Sequence, residues 1–151
     1  MRSSSAMGEL AKLGPWRVDT AVDVLSLAGP RKAALRDLYP IVGDLLERLG
    51  LDWEHFDGVL PNPTVDLIST GAKLAKKFRA DVILGIGGGS SLDSAKAIAV
   101  EATHEGTSWD YLFFKQRPSN KTLPVVAVGT TSGSGSQATQ VAVSHRHRFP
   151  N

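Results

Sequence analysis

Cysteine is absent from this chain. Its absence excludes a disulfide framework, a thiolate nucleophile and a cysteine metal site, and it allows a reducing compartment without proving one; a cytoplasmic location is the expectation. No apolar run approaches the length of a membrane span, so no membrane partner is expected. A large excess of one charge is also missing. The formal net charge is only +2, and although the pI is near 9.0, the basic residues are spread through the chain except at its end, so no nucleic-acid-binding stripe is evident. Internal repeats are lacking beyond an alternation of strands and helices. What remains is 151 residues, 42% hydrophobic and 21% charged, which suits one compact core and is too little for two substantial domains.

The most informative stretch that is present runs from Asp81 to Lys96, DVILGIGGGSSLDSAK. An apolar strand enters three glycines, then a serine, then an amphipathic helix. Gly87, Gly88 and Gly89 carry no Cβ, so the backbone there can turn sharply and approach a ligand closely. Ser90 offers a hydroxyl where the helix is expected to begin. The unpaired N–H groups of the first helical turn and the positive end of the helix dipole favour a pyrophosphate above them. Leu92, Ala95, Ile98 and Ala99 form the helix's apolar stripe. A glycine-rich turn that merely packs helix on strand would show the same residues, and one such loop is a weak signal by itself.

A second segment repeats the arrangement. Leu123 to Gly129, LPVVAVG, is short, apolar and valine-rich, as a buried strand should be, and it empties into Thr130 to Gln137, TTSGSGSQ. In isolation that run reads as a flexible Ser/Gly linker. Placed after a buried strand, at the same edge of the sheet as the first loop, it can offer hydroxyl and backbone donors to phosphate or ribose oxygens.

The rest of the chain alternates in the same way. Val22 to Ala28 is expected as the first strand. Pro40 to Leu49 is expected as a helix, with Gly50 just past its end and Ile41, Leu45, Leu46 and Leu49 as its apolar stripe. A short strand near Trp53 to Phe56 leads through the Pro61-Asn62-Pro63 turn to a helix from about Thr64 to Phe78, with Val65, Ile68, Ala72, Ala75 and Phe78 on one face. Strands separated by helices imply a Rossmann-like, doubly wound parallel α/β sheet, with the ligand site at the strands' carboxyl ends. Gly87 to Ser90 and Thr130 to Ser136 are expected to face one crevice.

Four motifs, in order, carry a resemblance to a known family. GGGSSLDSAK resembles the GGGS-x-x-D-x-AK signature of the iron-containing (group III) alcohol dehydrogenases, and TTSGSGSQ resembles that family's TT-x-GTGSE loop. FDGVLPNPT, from Phe56 to Thr64, is similar to the segment joining the family's second strand to the following helix. SWDYLF, from Ser108 to Phe113, is similar to a stretch in its butanol-dehydrogenase-like branch. The resemblance covers about Val22 to Val143.

The resemblance implies that a nicotinamide dinucleotide is held with its pyrophosphate at Gly87, Gly88, Gly89 and Ser90. It further places Asp93 near the nicotinamide end, and Thr130, Thr131 and Ser134 at phosphates and ribose. Lys96 is read as a structural partner of Asp93, three residues away on one helical face. Gly29, after the first strand, is assigned to the cofactor as well. With Arg31 and Lys32 beside it, the site leans toward NADP over NAD, because an arginine there can accommodate a 2′-phosphate. Gly88→Val is expected to block the phosphate approach and to resist a positive φ.

Both ends depart from the family pattern. Residues 1–20 do not show its opening strand hairpin. Arg2 and three serines hint at an organellar transit segment, but Glu9 and Asp19 oppose it, and a disordered terminus is the plainer expectation. After Val143 the chain ends in a divergent basic tail, residues 144–151. The resemblance implies a divalent metal, iron or zinc, held by one aspartate and several histidines on a second, helical domain, all beyond Asn151. His145 and His147, interleaved with Arg146 and Arg148, are poor substitutes because adjacent cations oppose a metal. His55 and His104 read as ordinary surface or loop residues. No catalytic residue and no metal ligand is therefore assigned.

Three functions fit these residues. The first is the cofactor domain, residues 21–143, of a metal-dependent alcohol dehydrogenase, truncated and inactive alone, whose full-length form would act on a small alcohol or aldehyde. The second is a nucleotide-binding module without chemistry. The third is an enzyme like glycerol dehydrogenase or dehydroquinate synthase, which share the fold, although the second loop and the Trp109-Asp110-Tyr111 segment favour the alcohol dehydrogenase branch. A homo-oligomer is left open.

Overall fold

The computed structural model describes residues 24–28, 38–131 and 133–145. The expectations for Gly29, Arg31, Lys32, residues 1–20 and residues 146–151 lie outside the described residues. Four strands form one sheet: β1 (Val24–Ala28), β2 (Trp53–Phe56), β3 (Val82–Gly87) and β4 (Val125–Gly129). Their order is β2-β1-β3-β4, and all three pairings are parallel. The connections carry helices α1 (Leu38–Arg48), α2 (Val65–Phe78) and α3 (Gly89–Glu101). This is the doubly wound arrangement expected, and its strand order reverses direction between β1 and β3, where such sheets open a crevice.

Alternation along β3 explains why both faces of the sheet are covered. Ile83 joins Ile68, Ala72, Ala75, Ala95 and Ile98 in one core, contributed by α2 and α3. Leu84 and Ile86 point the other way, into a second core with Leu46 of α1, Trp53 and Val126. A strand buried on both faces reads as a continuous apolar run, as β3 does. Gly85 lets α3 lie close to the sheet, since a Cβ there would stand 2.9 Å from the Ala95 Cβ.

Helix α2 starts where its sequence provides a cap. The Thr64 hydroxyl accepts a hydrogen bond from the Leu67 N–H at 3.3 Å, a contribution of about 1 kcal/mol. Its expected stripe is the observed one, with Val65, Ile68, Ala72 and Ala75 buried and Phe78 packed against the same core. In α3, Leu92, Ala95, Ile98 and Ala99 are buried as the stripe requires.

Helix α1 corrects the sequence reading. It begins at Leu38, two residues before Pro40, and ends at Arg48. Of its expected stripe only Leu46 is buried, at 5% exposure, while Ile41, Leu45 and Leu49 remain 54%, 46% and 51% exposed. The buried side is instead Tyr39, Val42, Gly43 and Leu46, again at helical spacing. The Trp53 ring selects it. A Cβ on Gly43 would lie 2.7 Å from that ring, so only the glycine side of the helix fits against β2. Burial also pushes the Tyr39 phenol pKa up. Gly50, at φ +68°, ends the helix as expected.

Candidate functional site

Strands β3 and β4 end level with each other. Gly87 pairs in register with Gly129, and the Thr130 N–H donates to the Gly87 carbonyl at 2.9 Å. Both loops therefore leave the sheet at its carboxyl edge, side by side. Across the gap, a Cβ on Gly88 would be 3.0 Å from the Thr131 Oγ1, and one on Gly89 would be 3.1 Å from the Ser134 Oγ. Glycine thus leaves room for the close approach of the second loop, whose Thr130, Thr131 and Ser134 are exposed.

Three details differ from the expectation. The left-handed backbone lies at Gly87, with φ +141°, whereas Gly88 is extended at φ −84°, a conformation open to any residue. A Cβ at Gly87 would also collide with the Ser91 Oγ at 2.6 Å. Second, α3 begins at Gly89, one residue before Ser90, and its N-cap is Gly88 with no side-chain bond. The Gly89 and Ser90 N–H groups consequently have no acceptor among the described residues and face the space ahead of the helix. Third, the Ser90 hydroxyl is not capping its own helix. It accepts from the Asn62 N–H at 3.4 Å, which brings the Pro61-Asn62-Pro63 turn to the same rim.

Asn62 was not singled out by the sequence, although asparagine tolerates the positive φ it adopts, +56°. Ser136 was missed as a partner of Asp93. Its hydroxyl donates to Asp93 Oδ1 at 2.7 Å, while the Val143 N–H donates to Asp93 Oδ2 at 3.1 Å. Lys96 pairs with Asp93 at 3.1 Å, the structural role expected of it. Its ammonium also donates to the Val141 carbonyl.

Past this point the backbone of His145 bridges to the start of α2, accepting from the Val65 N–H at 3.0 Å and donating to the Pro63 carbonyl at 2.8 Å. His104 is engaged at both ring nitrogens, by the Val100 carbonyl at 2.9 Å and by the Ser119 N–H at 2.9 Å. Among the described residues no group of three or more His, Asp or Glu could hold a metal ion. No helix there is long and apolar enough to cross a membrane.

Comparison with known proteins agrees with this geometry. The choline dehydrogenase of Bacillus subtilis is 40% identical over 137 residues, covering 89% of this chain and 32% of that protein. Alcohol dehydrogenase 4 of Schizosaccharomyces pombe is 41% identical over 106 residues, covering 70% of this chain and 25% of that one. The crystal structure of an archaeal halo-thermophilic alcohol dehydrogenase from a Red Sea brine pool superposes with a TM-score of 0.80 at 30% identity, covering 92% of this chain and 35% of the other. The NADH-dependent butanol dehydrogenase A of Thermotoga maritima gives a TM-score of 0.69 at 37% identity, covering 76% of this chain and 29% of the other. The chain thus spans about a third of the length of such relatives. The profile of the iron-containing alcohol dehydrogenases matches residues 5–148, reaching beyond the four motifs at both ends. Adjacent glycine and threonine loops on a parallel sheet, joined to a match of that extent, establish that the chain belongs to the iron-containing alcohol dehydrogenase family.

Proposed function

We propose that the described domain holds a nicotinamide dinucleotide for an alcohol or aldehyde oxidoreductase, with the pyrophosphate over Gly87 to Ser90 and the ribose and phosphate oxygens met by Thr130, Thr131 and Ser134. One observation carries the reading: Gly88 and Gly89 are each in near contact with the opposite loop, at Thr131 and Ser134. The result brings backbone N–H groups and hydroxyls side by side at the sheet's edge, a donor set suited to phosphate oxygens. When bound, the nicotinamide supplies the hydride acceptor or donor. This chain's residues bind and orient it.

Arg31 and Lys32 favour NADP, but the butanol dehydrogenases of Bacillus subtilis and Clostridium acetobutylicum, described as NADH-dependent, match 86% and 80% of the chain. Those relatives weigh more, and we adopt NAD(H). Relatives named for choline, 1,3-propanediol and sulfoacetaldehyde support a small alcohol or aldehyde as the substrate class. The described residues do not fit the family's metal, and the isolated chain is expected to bind without turning over.

Titration of the purified 151-residue chain with NADH, followed by nicotinamide fluorescence, tests this reading. Saturable binding with a dissociation constant well below millimolar is expected, weaker for NADPH, and no alcohol-dependent reduction of NAD. Absence of binding to either dinucleotide at millimolar concentration by folded protein would overturn it. Tighter binding of NADPH would overturn only the choice between the two.

A further inference from the structure

We propose that the outer row of helix α1, Ile41, Leu45 and Leu49, is a self-association surface on which a second copy of this chain packs its own α1, antiparallel and about a two-fold axis. The inference stands apart from the dinucleotide reading. Its ground is an apolar row that the fold cannot turn inward. Each of the three side chains is about half exposed, and their spacing of four residues lines them up as one ridge along the helix. The buried side, Tyr39, Val42, Gly43 and Leu46, lies about 110° further round the helix. Gly43 fixes that rotation. A Cβ on it would already stand 2.7 Å from the Trp53 ring, so a turn of α1 that buried the ridge would drive larger side chains into the indole. The ridge therefore faces outward, and an exposed apolar row of this kind marks a contact surface.

Charge selects the occupant. Asp44 and Arg48 are both exposed, and neither side chain has a partner among the described residues. They lie on the edge of the ridge away from the sheet, Arg48 about 60° and Asp44 about 100° from its centre. Opposite signs one turn apart on a single edge are self-complementary under a two-fold axis that crosses both helices. Such an axis runs the helices antiparallel and keeps the two charged edges on the same side. With the axis beside Leu45, Ile41 falls opposite the partner's Leu49, and Asp44 comes within one turn of the partner's Arg48. A parallel pair would put the charged edges on opposite sides and leave all four charges unmatched.

The contact is small. An 11-residue helix against its copy buries less than the roughly 1,200 Å² at which stable interfaces begin, so the dimer is a weak one, with a dissociation constant on the order of 100 μM.

Sedimentation velocity on the 151-residue chain, from about 10 μM to about 1 mM, tests the proposal across that constant. A reversible shift from monomer to dimer is expected. Leu45→Lys should weaken it at least tenfold and, in dilute solution, melt with the parent, because Leu45 is on the surface of the monomer. Asp44→Arg and Arg48→Asp should each weaken the dimer severalfold, and the double variant, with the signs exchanged, should recover the parent's affinity.

That recovery is a readout that general stickiness of an apolar surface would not give. A parent chain that stays monomeric throughout the range overturns the proposal, as does a dimer that Leu45→Lys leaves intact. Loss of folding, or a Tm several degrees below the parent, in dilute Leu45→Lys would show that the ridge is covered within the monomer and overturn it equally. A double variant no tighter than the single ones would overturn the antiparallel pairing.

Discussion

Gly88→Val is expected to abolish dinucleotide binding while the domain still folds. The backbone at Gly88 is extended, with φ −84° and ψ −173°, a region valine favours. The nearest atom to its new Cβ is the Thr131 Oγ1 at 3.0 Å, the end of an exposed side chain that can turn aside. What the substitution removes is the open approach to the first turn of α3. Two γ-methyl groups would stand where the pyrophosphate approaches the Gly89 and Ser90 N–H groups. For the parent, ligand at a hundred times its dissociation constant stabilises the native state by about 2.7 kcal/mol, a rise of several degrees in Tm. The variant should melt near the parent without ligand and show no rise with it. A folded Gly88→Val protein that shifts as much as the parent would remove Gly88 from the site.

One residue earlier the same substitution should act on the fold itself. Gly87 has φ +141°, where a β-branched residue is strained by about 1–3 kcal/mol, and its Cβ would meet Ser91 Oγ at 2.6 Å and Ser91 Cβ at 3.0 Å. Overpacking of this kind adds about 1–3 kcal/mol. Gly87 is also the last paired residue of β3 and accepts the Thr130 N–H, so relief by backbone movement would break the alignment of the two loops. Gly87→Val should therefore lose about 2–6 kcal/mol, the sum of those two ranges, a large share of the 5–15 kcal/mol that keeps a domain folded. Urea unfolding followed by circular dichroism measures it. A midpoint within experimental error of the parent would contradict the positive φ at this position.

The contrast between these two glycines shows what could be read from the residues and what could not. The triplet itself announces a turn and a close approach, but which glycine takes the left-handed backbone depends on where β3 releases its pairing with β4, and that is a contact between residues 42 positions apart. Helices α2 and α3 were legible because their buried faces are marked by Val65, Ile68, Ala72, Leu92, Ala95 and Ile98 at regular spacing. Helix α1 was misassigned because its contact with Trp53 runs through Gly43, and a glycine adds nothing to an apolar stripe. The bonding of Asp93 was hidden for a related reason. One of its donors is the backbone N–H of Val143, 50 residues away, and a backbone donor leaves no mark on residue type. Ser90 was read as the helix cap because a serine normally serves there, yet the strand end moved the first turn forward to Gly89 and freed the hydroxyl for Asn62.

The central claim, that two loops of this chain jointly hold a nicotinamide dinucleotide, is tested most directly by mapping backbone amide shifts of isotopically labelled protein as NAD is added. Amides of Gly88, Gly89, Ser90, Thr130, Thr131 and Ser134 should move together with one dissociation constant, since the ligand bridges both loops. Shifts confined to one loop, shifts centred elsewhere such as Trp53 to Phe56, or none at millimolar NAD would contradict it.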